Sequence, residues 1–130
     1  MIMINMQPVS TPRPRATRRG TVYYPKKYKD YLADLRDELL DMEIPDGPLY
    51  AEIIFILPRP KRLSKNGDRV LHTKRPDIDN LCKGVLDSLP IKDDARIVCL
   101  SAVKYYAASY EQAHMEILIT RFNPKKNGPQ

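Results

Sequence analysis

The chain has 130 residues, a formal net charge of +6, 42% hydrophobic and 29% charged residues. This length suits one domain with one modest core, and the ordinary globular composition excludes both extensive disorder and a membrane-embedded class. No apolar run approaches the ~20 residues of a membrane span, and the first six residues are too short for a signal-peptide core, so we expect a cytoplasmic protein with no membrane partner.

The N-terminal region predicts a short strand followed by an irregular arm. Ile2, Ile4 and Met6 alternate along residues 1–7 with the period of a strand. Residues 7–25 are rich in proline, arginine and threonine, which disfavours regular structure. We therefore expect a long basic arm there.

A helix, a central strand and a basic loop follow. Residues 26–42 place their apolar side chains on one helical face, which predicts an amphipathic helix. Residues 49–57 are a β-branched and aromatic run and predict a central strand. The next segment, 59–75, is expected to be a basic loop with Asn66 and Gly67 at its tip, the sequence of a small hairpin.

The second half predicts a second helix, two strands and a tail. The apolar spacing ends a helix near Leu89, and the strands cover 97–107 and 114–122, most simply paired as a hairpin. Residues 123–130 are expected to form a flexible tail. The resulting βαβαββ order predicts an α+β fold, with a mixed β-sheet and two helices packed on it, in a single small domain.

Basic residues are concentrated in two segments. Residues 1–29 contain seven and no acid, and residues 58–75 contain seven more against one aspartate. Such segments are typical of phosphate binding, whereas binding to an anionic membrane surface would call for an apolar helical stripe that neither segment has. The candidate DNA contacts are Arg13, Arg15, Arg18, Arg19, Lys61, Arg62, Arg69, Lys74 and Arg75.

Acidic residues gather in one short stretch of this basic chain. Residues 75–94 hold five of the sixteen, namely Asp77, Asp79, Asp87, Asp93 and Asp94. Carboxylates oppose polyanion binding unless a divalent cation lies between them and the phosphates. Magnesium accepts few carboxylates and keeps several waters, so three aspartates suffice for one ion or a closely spaced pair. The pattern predicts a metal-dependent nuclease.

The first two aspartates need a break in regular structure to converge. On a regular helix, Asp77 and Asp79 would point about 200° apart. Pro76 favours an extended residue before it and a helix that begins after Asp77. Both carboxylates can then face one cation at the start of the helix.

The remaining polar positions of this helix form a stripe. Asp79, Lys83 and Asp87 follow at intervals of four residues and share one face. Lys83 either stabilises negative charge in the transition state or only offsets repulsion among the carboxylates. One of Asp93 and Asp94, in the turn before the next strand, can complete the site.

Each acidic residue also has an ordinary structural explanation. Asp77 and Asp79 would be helix caps, Asp87 a partner of Lys83, and the later aspartates an acidic turn. The concentration of all of them directly after the most basic loop favours the functional interpretation. No EF-hand pattern is present, which disfavours calcium storage.

Other reactive residue types give weaker signals. Neither histidine lies in a triad context; His72 is expected to be a solvent-exposed loop residue, with phosphate contact as the alternative, and His114 a strand residue. Cys82 and Cys99 lack metal-type spacing and are interpreted as small reduced hydrophobic residues.

The acidic segment resembles the hallmark of the RusA family of Holliday-junction resolvases. The resemblance rests on the run from Lys74 to Leu81, on Lys83, on the run from Leu86 to Leu89, and on the Asp93-Asp94 pair. The Pro12–Arg15 and Tyr24–Lys26 segments are similar to the basic arm of phage-type members. The likeness extends over most of the chain, although the hallmark carries most of its weight.

The resemblance implies a homodimeric, Mg²⁺-dependent endonuclease that resolves four-way DNA junctions by paired symmetric nicks in recombination and repair. Asp77, Asp79 and Asp94 then look like the essential metal ligands and Lys83 like the essential lysine. Asp87 and Asp93 look like supporting acids. Mn²⁺ is the alternative metal, and no small-molecule cofactor is expected.

One departure from the family pattern leaves alternatives open. Many relatives have a longer connection before the paired aspartates, whereas here residues 88–92 alone separate Asp87 from Asp93. The resemblance favours Asp94 as the inward residue of the pair. The alternatives are a catalytically impaired or non-catalytic module that binds branched DNA, and a nuclease that prefers another DNA structure.

Overall fold

The structure is a computed structural model that describes residues 1–129. It contains a five-stranded sheet and a separate two-stranded ribbon. In chain order the elements are β1 (Ile2–Ile4), β2 (Arg15–Ala16), β3 (Val22–Tyr23), α1 (Lys26–Leu39), β4 (Leu49–Leu57), β5 (Val70–Leu71), α2 (Ile78–Ser88), a 3₁₀ turn (Asp94–Arg96), β6 (Ile97–Tyr106), β7 (His114–Arg121) and α3 (Pro124–Asn127).

The large sheet is mixed and has the order β1-β7-β4-β6-β5. Its central strand β4 is parallel to β6 and antiparallel to β7. The predicted α+β class, with two main helices on a mixed sheet, is confirmed. The predicted pairing of the last two long strands as a hairpin is wrong, because β4 lies between them. Strand β4 carries the most apolar sequence, and the central position satisfies its main-chain groups on both edges.

The core lies between one face of the sheet and the two helices. Phe55 and Ile53 of β4 are fully buried against Leu35 of α1 and Leu81 of α2. The helices approach closely at Gly84, where an added Cβ would lie 3.1 Å from the hydroxyl of Tyr28. A glycine at this point lets α1 pack directly against the backbone of α2.

The basic arm contains more order than its sequence predicts. Strands β2 and β3 pair as a short antiparallel ribbon, and Gly20 in the turn has a φ of +81°. The amide of Thr17 donates to the carbonyl of Thr21, and the amide of Thr21 donates to the Thr17 hydroxyl. These local bonds close the turn and explain the hairpin.

The start of the arm is attached to α2. Both the amide and the hydroxyl of Thr11 donate to the carbonyl of Asn80, each over 3.0 Å. The Thr11 hydroxyl also lies 2.7 Å from the Tyr28 hydroxyl. The arm therefore leaves the body of the protein next to the first turn of α2.

The loop after β4 and the C-terminal segment have internal contacts of their own. Arg59 holds the loop by donating to the carbonyls of Ser64, Asp68 and Ala107. The predicted loop hairpin does not form; β5 pairs with β6 instead. The predicted tail contains the short helix α3, and its last residue, Gln130, lies outside the described residues.

Within residues 1–129, no helix is both long and apolar enough to cross a membrane.

Candidate active site

A cleft of about 490 Å³ opens between α2 and β6. Both charged residues of the acidic segment and apolar residues line it. The lining residues are Ile78, Asp79, Cys82, Lys83, Leu86, Asp87, Asp94, Leu100 and Ala102. The structure thus brings four of the six sequence-predicted site residues to one place.

The first turn of α2 explains how Asp77 and Asp79 are presented. Helix α2 begins at Ile78, as the position of Pro76 predicts, and Asp77 is the N-cap residue with extended φ and ψ of −70° and 143°. Asp77 therefore occupies the cap position, but its side chain makes no capping hydrogen bond, so capping does not engage its carboxylate. Asp77 is exposed beside the cleft but does not line it.

Lys83 and Asp87 form an ion pair on the cleft side of α2. The Lys83 ammonium lies 3.3 Å from the Asp87 carboxylate, one helical turn further on. The hydrogen bond and charge of Asp87 raise the pKa of Lys83 above its ordinary value. Lys83 therefore stays protonated at neutral pH and places a fixed positive charge at the cleft.

The two aspartates before β6 have different surroundings. The Asp93 carboxylate accepts a hydrogen bond of 2.9 Å from the amide of Ala95 and caps the 3₁₀ turn. Asp94 is the first residue of that turn and lines the cleft. After the short connection from α2, Asp94 and not Asp93 lines the same cleft as Asp79.

The carboxylates in the cleft supply only some of the oxygen ligands that a cation such as Mg²⁺ needs. Among residues 1–129, no three His, Cys, Asp or Glu side chains are grouped to hold a metal, so the three predicted ligands are not assembled. Asp79 and Asp94 nevertheless share the cleft, and within the described chain neither is in a salt bridge. Magnesium is usually bound by one or two carboxylates together with substrate phosphates. These two residues fit that arrangement.

The thiol in the cleft is not a nucleophile. Burial raises the pKa of Cys82 to about 11, and the nearby charge of Asp79 adds to this increase. A thiol with such a pKa is almost entirely protonated at neutral pH and does not react readily. Both cysteines are free, as the sequence predicts.

The prediction that His72 is solvent-exposed is wrong. Only 8% of His72 is exposed, and its ring packs against the ring of Tyr106 in a tilted arrangement, with 4.3 Å between the ring centroids. Burial and, to a lesser extent, the charge of Lys104 lower the pKa of His72. The amide of His72 donates to the carbonyl of Lys104, which continues the short pairing of β5 with β6 and draws the histidine inward. His114 begins β7, as predicted.

Most of the predicted DNA contacts are exposed, but two have protein partners. Arg69 forms a bidentate pair with Glu111 and also contacts Glu116 at 2.7 Å. Arg62 donates to the Tyr106 hydroxyl over 2.9 Å and lies over its ring. The exposed members of the set are Arg13, Arg15, Arg18, Arg19, Lys61, Arg62, Lys74 and Arg75.

One residue beside the site has no counterpart in the sequence analysis. Lys104 of β6 donates its ammonium hydrogens to the carbonyls of Lys74 and Pro76, over 2.5 and 2.6 Å. A single lysine in a strand carries no local signal of such contacts, because they depend on how the preceding loop packs.

Comparison with known proteins agrees with these features. A sequence model described as endodeoxyribonuclease RusA matches residues 5–120, which include the arm, the cleft and the whole acidic segment. The uncharacterized protein YqaN of Bacillus subtilis (strain 168) is 30% identical, over 87% of this chain and 89% of the relative. Taken with the cleft that gathers the hallmark residues, the match shows that this chain belongs to the RusA family of endodeoxyribonucleases.

Proposed function

We propose that the protein is a Mg²⁺-dependent endonuclease that resolves Holliday junctions by paired symmetric nicks. The observation that carries the proposal is the cleft that Asp79 of α2 and Asp94 of the 3₁₀ turn both line, together with Lys83, in a chain of an endodeoxyribonuclease family. A basic surface and an acidic site coexist when a divalent cation joins carboxylates to phosphates.

In this proposal the residues have distinct roles. Asp79 and Asp94 would hold the metal, and Asp77, free of any capping bond, would complete the set when DNA is present. When bound, Mg²⁺ supplies positive charge at the scissile phosphate and lowers the pKa of the attacking water. Lys83 stabilises negative charge that develops on the phosphate oxygens, and Asp87 orients Lys83 through the 3.3 Å ion pair. Asp93 supports the turn that presents Asp94.

The DNA would lie across the arm and the basic loop. The ribbon of β2 and β3 carries Arg18 and Arg19 in its turn, and both are exposed. Lys74 and Arg75 are exposed immediately before the site. The arginines and lysines of these two segments would hold the phosphate backbone and orient one strand over the carboxylates. Arg69 is a weaker member of this set, because Glu111 and Glu116 already occupy its guanidinium.

A homodimer fits this chemistry. Paired nicks at a four-way junction require two active sites related by symmetry, and a two-fold axis supplies them. The partner would be a second copy of this chain, with branched DNA between the two basic surfaces.

The test is cleavage of a synthetic four-way junction beside linear and flap DNA, with Mg²⁺, with Mn²⁺ and with neither. We expect metal-dependent cleavage of the junction, loss of cleavage in Asp79→Asn, and wild-type cleavage in the exposed control Asp41→Asn. Wild-type rates in Asp79→Asn would overturn the assignment of the site. Equal cleavage of all three DNA structures would overturn the junction preference.

A second candidate is a module that binds branched DNA without cutting it. The observation in its favour is that no three carboxylates of residues 1–129 are grouped to hold a metal. Junction binding with no cleavage across Mg²⁺ and Mn²⁺ titrations would support this candidate over the first.

A further inference from the structure

The segment between β5 and α2 is attached to β6 in two different ways. Its first part is attached by main-chain pairing: Val70 pairs with Tyr106, Leu71 with Tyr105, and the amide of His72 donates to the Lys104 carbonyl. After His72 this pairing ends. The chain then has to reach Asp77, the first residue of the acidic motif.

The side chain of Lys104 provides the second attachment. Its ammonium donates to the carbonyl of Lys74 at 2.5 Å and to that of Pro76 at 2.6 Å. Within residues 1–129, these are the hydrogen bonds that hold residues 73–76 to the rest of the protein. Lys104 thus holds the backbone just before Asp77 from one side, and the amide of Leu81, which donates to the Asp77 carbonyl, holds it from the helix side.

The contact bears on the site because the Asp77 side chain makes no capping hydrogen bond of its own. Asp77 occupies the cap position of α2 through its backbone alone. The carboxylate can therefore turn about its own side-chain bonds, on a backbone that α2 holds from one side and the peptide bound by Lys104 holds from the other. The adjacent residues Ile78 and Asp79 already line the cleft, so a small change in that peptide decides whether Asp77 can reach it.

The chemistry of Lys104 also argues for a specific role. Within the described chain its ammonium is in no salt bridge and contacts neutral carbonyls instead. A cation in this position adds positive charge just before the start of α2, where Asp77 and Asp79 lie. Charge-assisted hydrogen bonds are stronger and more directional than neutral ones, so they suit the fixing of a backbone segment.

We propose that Lys104 is a positioning residue of the site: by holding the carbonyls of Lys74 and Pro76, it places Asp77 where its carboxylate can join Asp79 and Asp94 around the metal. The inference rests on the proposed function and deepens it. Lys104 does not touch the reacting atoms and acts through the backbone of the acidic motif. Groups that orient metal ligands in this way change metal affinity or activity by about 10- to 100-fold when removed.

The experiment compares Lys104→Met, Lys104→Arg and the exposed control Lys125→Met with the wild type. Four quantities are measured: kcat and KM on a four-way junction, the Mg²⁺ concentration at half-maximal rate, junction affinity in EDTA, and the rise in Tm that Mn²⁺ produces without DNA. For Lys104→Met we expect kcat to fall about tenfold or more, the half-maximal Mg²⁺ concentration to rise, and the Mn²⁺-induced rise in Tm to shrink. KM and junction affinity in EDTA should be unchanged, and Lys104→Arg should recover part of the loss.

The outcomes separate the two proposals. A Lys104→Met protein with lower Tm but wild-type kcat, Mg²⁺ requirement and Mn²⁺ response would show a structural role and overturn the positioning role. A wild-type protein that binds metal but does not cleave overturns the proposed function; the Mn²⁺ response of the variant then decides the role of Lys104 alone. A wild type with neither cleavage nor a metal response overturns both.

Discussion

The neighbouring aspartates Asp93 and Asp94 differ sharply in their surroundings, and this yields a test at the scale of single residues. Asp94 lines the cleft, whereas the Asp93 carboxylate accepts the amide of Ala95. We expect Asp94→Asn to lower kcat about 100-fold or more, the scale of removing one preorganised electrostatic group. Asp93→Asn should stay within a few-fold of wild type, because an amide oxygen can still accept the capping bond. Junction cleavage at saturating Mg²⁺ measures both, and equal losses would contradict the division of roles.

The ion pair between Arg69 and Glu111 makes the stability of the protein depend on pH. The hydrogen bonds of Arg69 hold the pKa of Glu111 below its ordinary value. A carboxyl group whose pKa is depressed by folding stabilises the protein above its unfolded pKa, and this contribution is lost as the pH falls through the folded pKa. Glu111→Gln should therefore cost about 1.5–3 kcal/mol of unfolding free energy at pH 7 and progressively less in acid. Urea unfolding between pH 7 and pH 3 measures this, and a difference that is constant with pH would refute it.

The helices and the strand whose apolar residues repeat regularly along the sequence lie where the sequence predicts them. Helix α1 was expected over residues 26–42 and covers Lys26–Leu39, and α2 starts and ends within about a residue of its expected bounds. Strand β4 matches its expected range. Each depends on a repeating apolar face or a β-branched run, which neighbouring residues determine.

The errors at this scale arise where distant segments decide the structure. Strands β6 and β7 were expected to pair with each other, but both pair with β4. His72 was expected to be exposed, but the pairing of β5 with β6 buries it. The sequence predicts part of the cleft, because the four-residue spacing of Asp79, Lys83 and Asp87 indicates a shared helix face. It does not predict the hydrogen bond from Lys104 to the Pro76 carbonyl, because Lys104 lies in β6, which is distant in sequence.

The contact between the two helices gives a prediction at the scale of elements. A side chain at position 84 would press on the Tyr28 hydroxyl, which cannot move freely because it is hydrogen-bonded to Thr11. Gly84→Val should destabilise the protein by about 1–3 kcal/mol, as expected for overpacking. The control is Ala33→Val on the exposed face of α1, which measures the loss of unfolding free energy that a β-branched residue causes in a helix without a steric clash. If denaturant melts show equal losses in both variants, the close approach of α1 and α2 does not matter for stability.

At the scale of the whole molecule, the chain offers one cleft with Asp79, Lys83 and Asp94, while junction resolution needs two cuts. If two copies act together, a dimer with one inactive site should still bind the junction but cut only one strand. In a supercoiled plasmid that extrudes a cruciform, wild type should give mostly linear DNA, because both cuts occur before the complex dissociates. Mixed dimers of wild type and Asp79→Asn should give nicked circles instead.

The mixing ratio makes the prediction quantitative. With equal amounts of freely exchanging subunits, about half of the dimers are mixed, so nicked circles should rise at the expense of linear product, and all cutting should vanish in pure Asp79→Asn. Sedimentation at the assay concentration checks that the protein is dimeric. If it sediments as a monomer, or if added Asp79→Asn only dilutes the activity without changing the ratio of nicked to linear DNA, the two sites do not act as a pair.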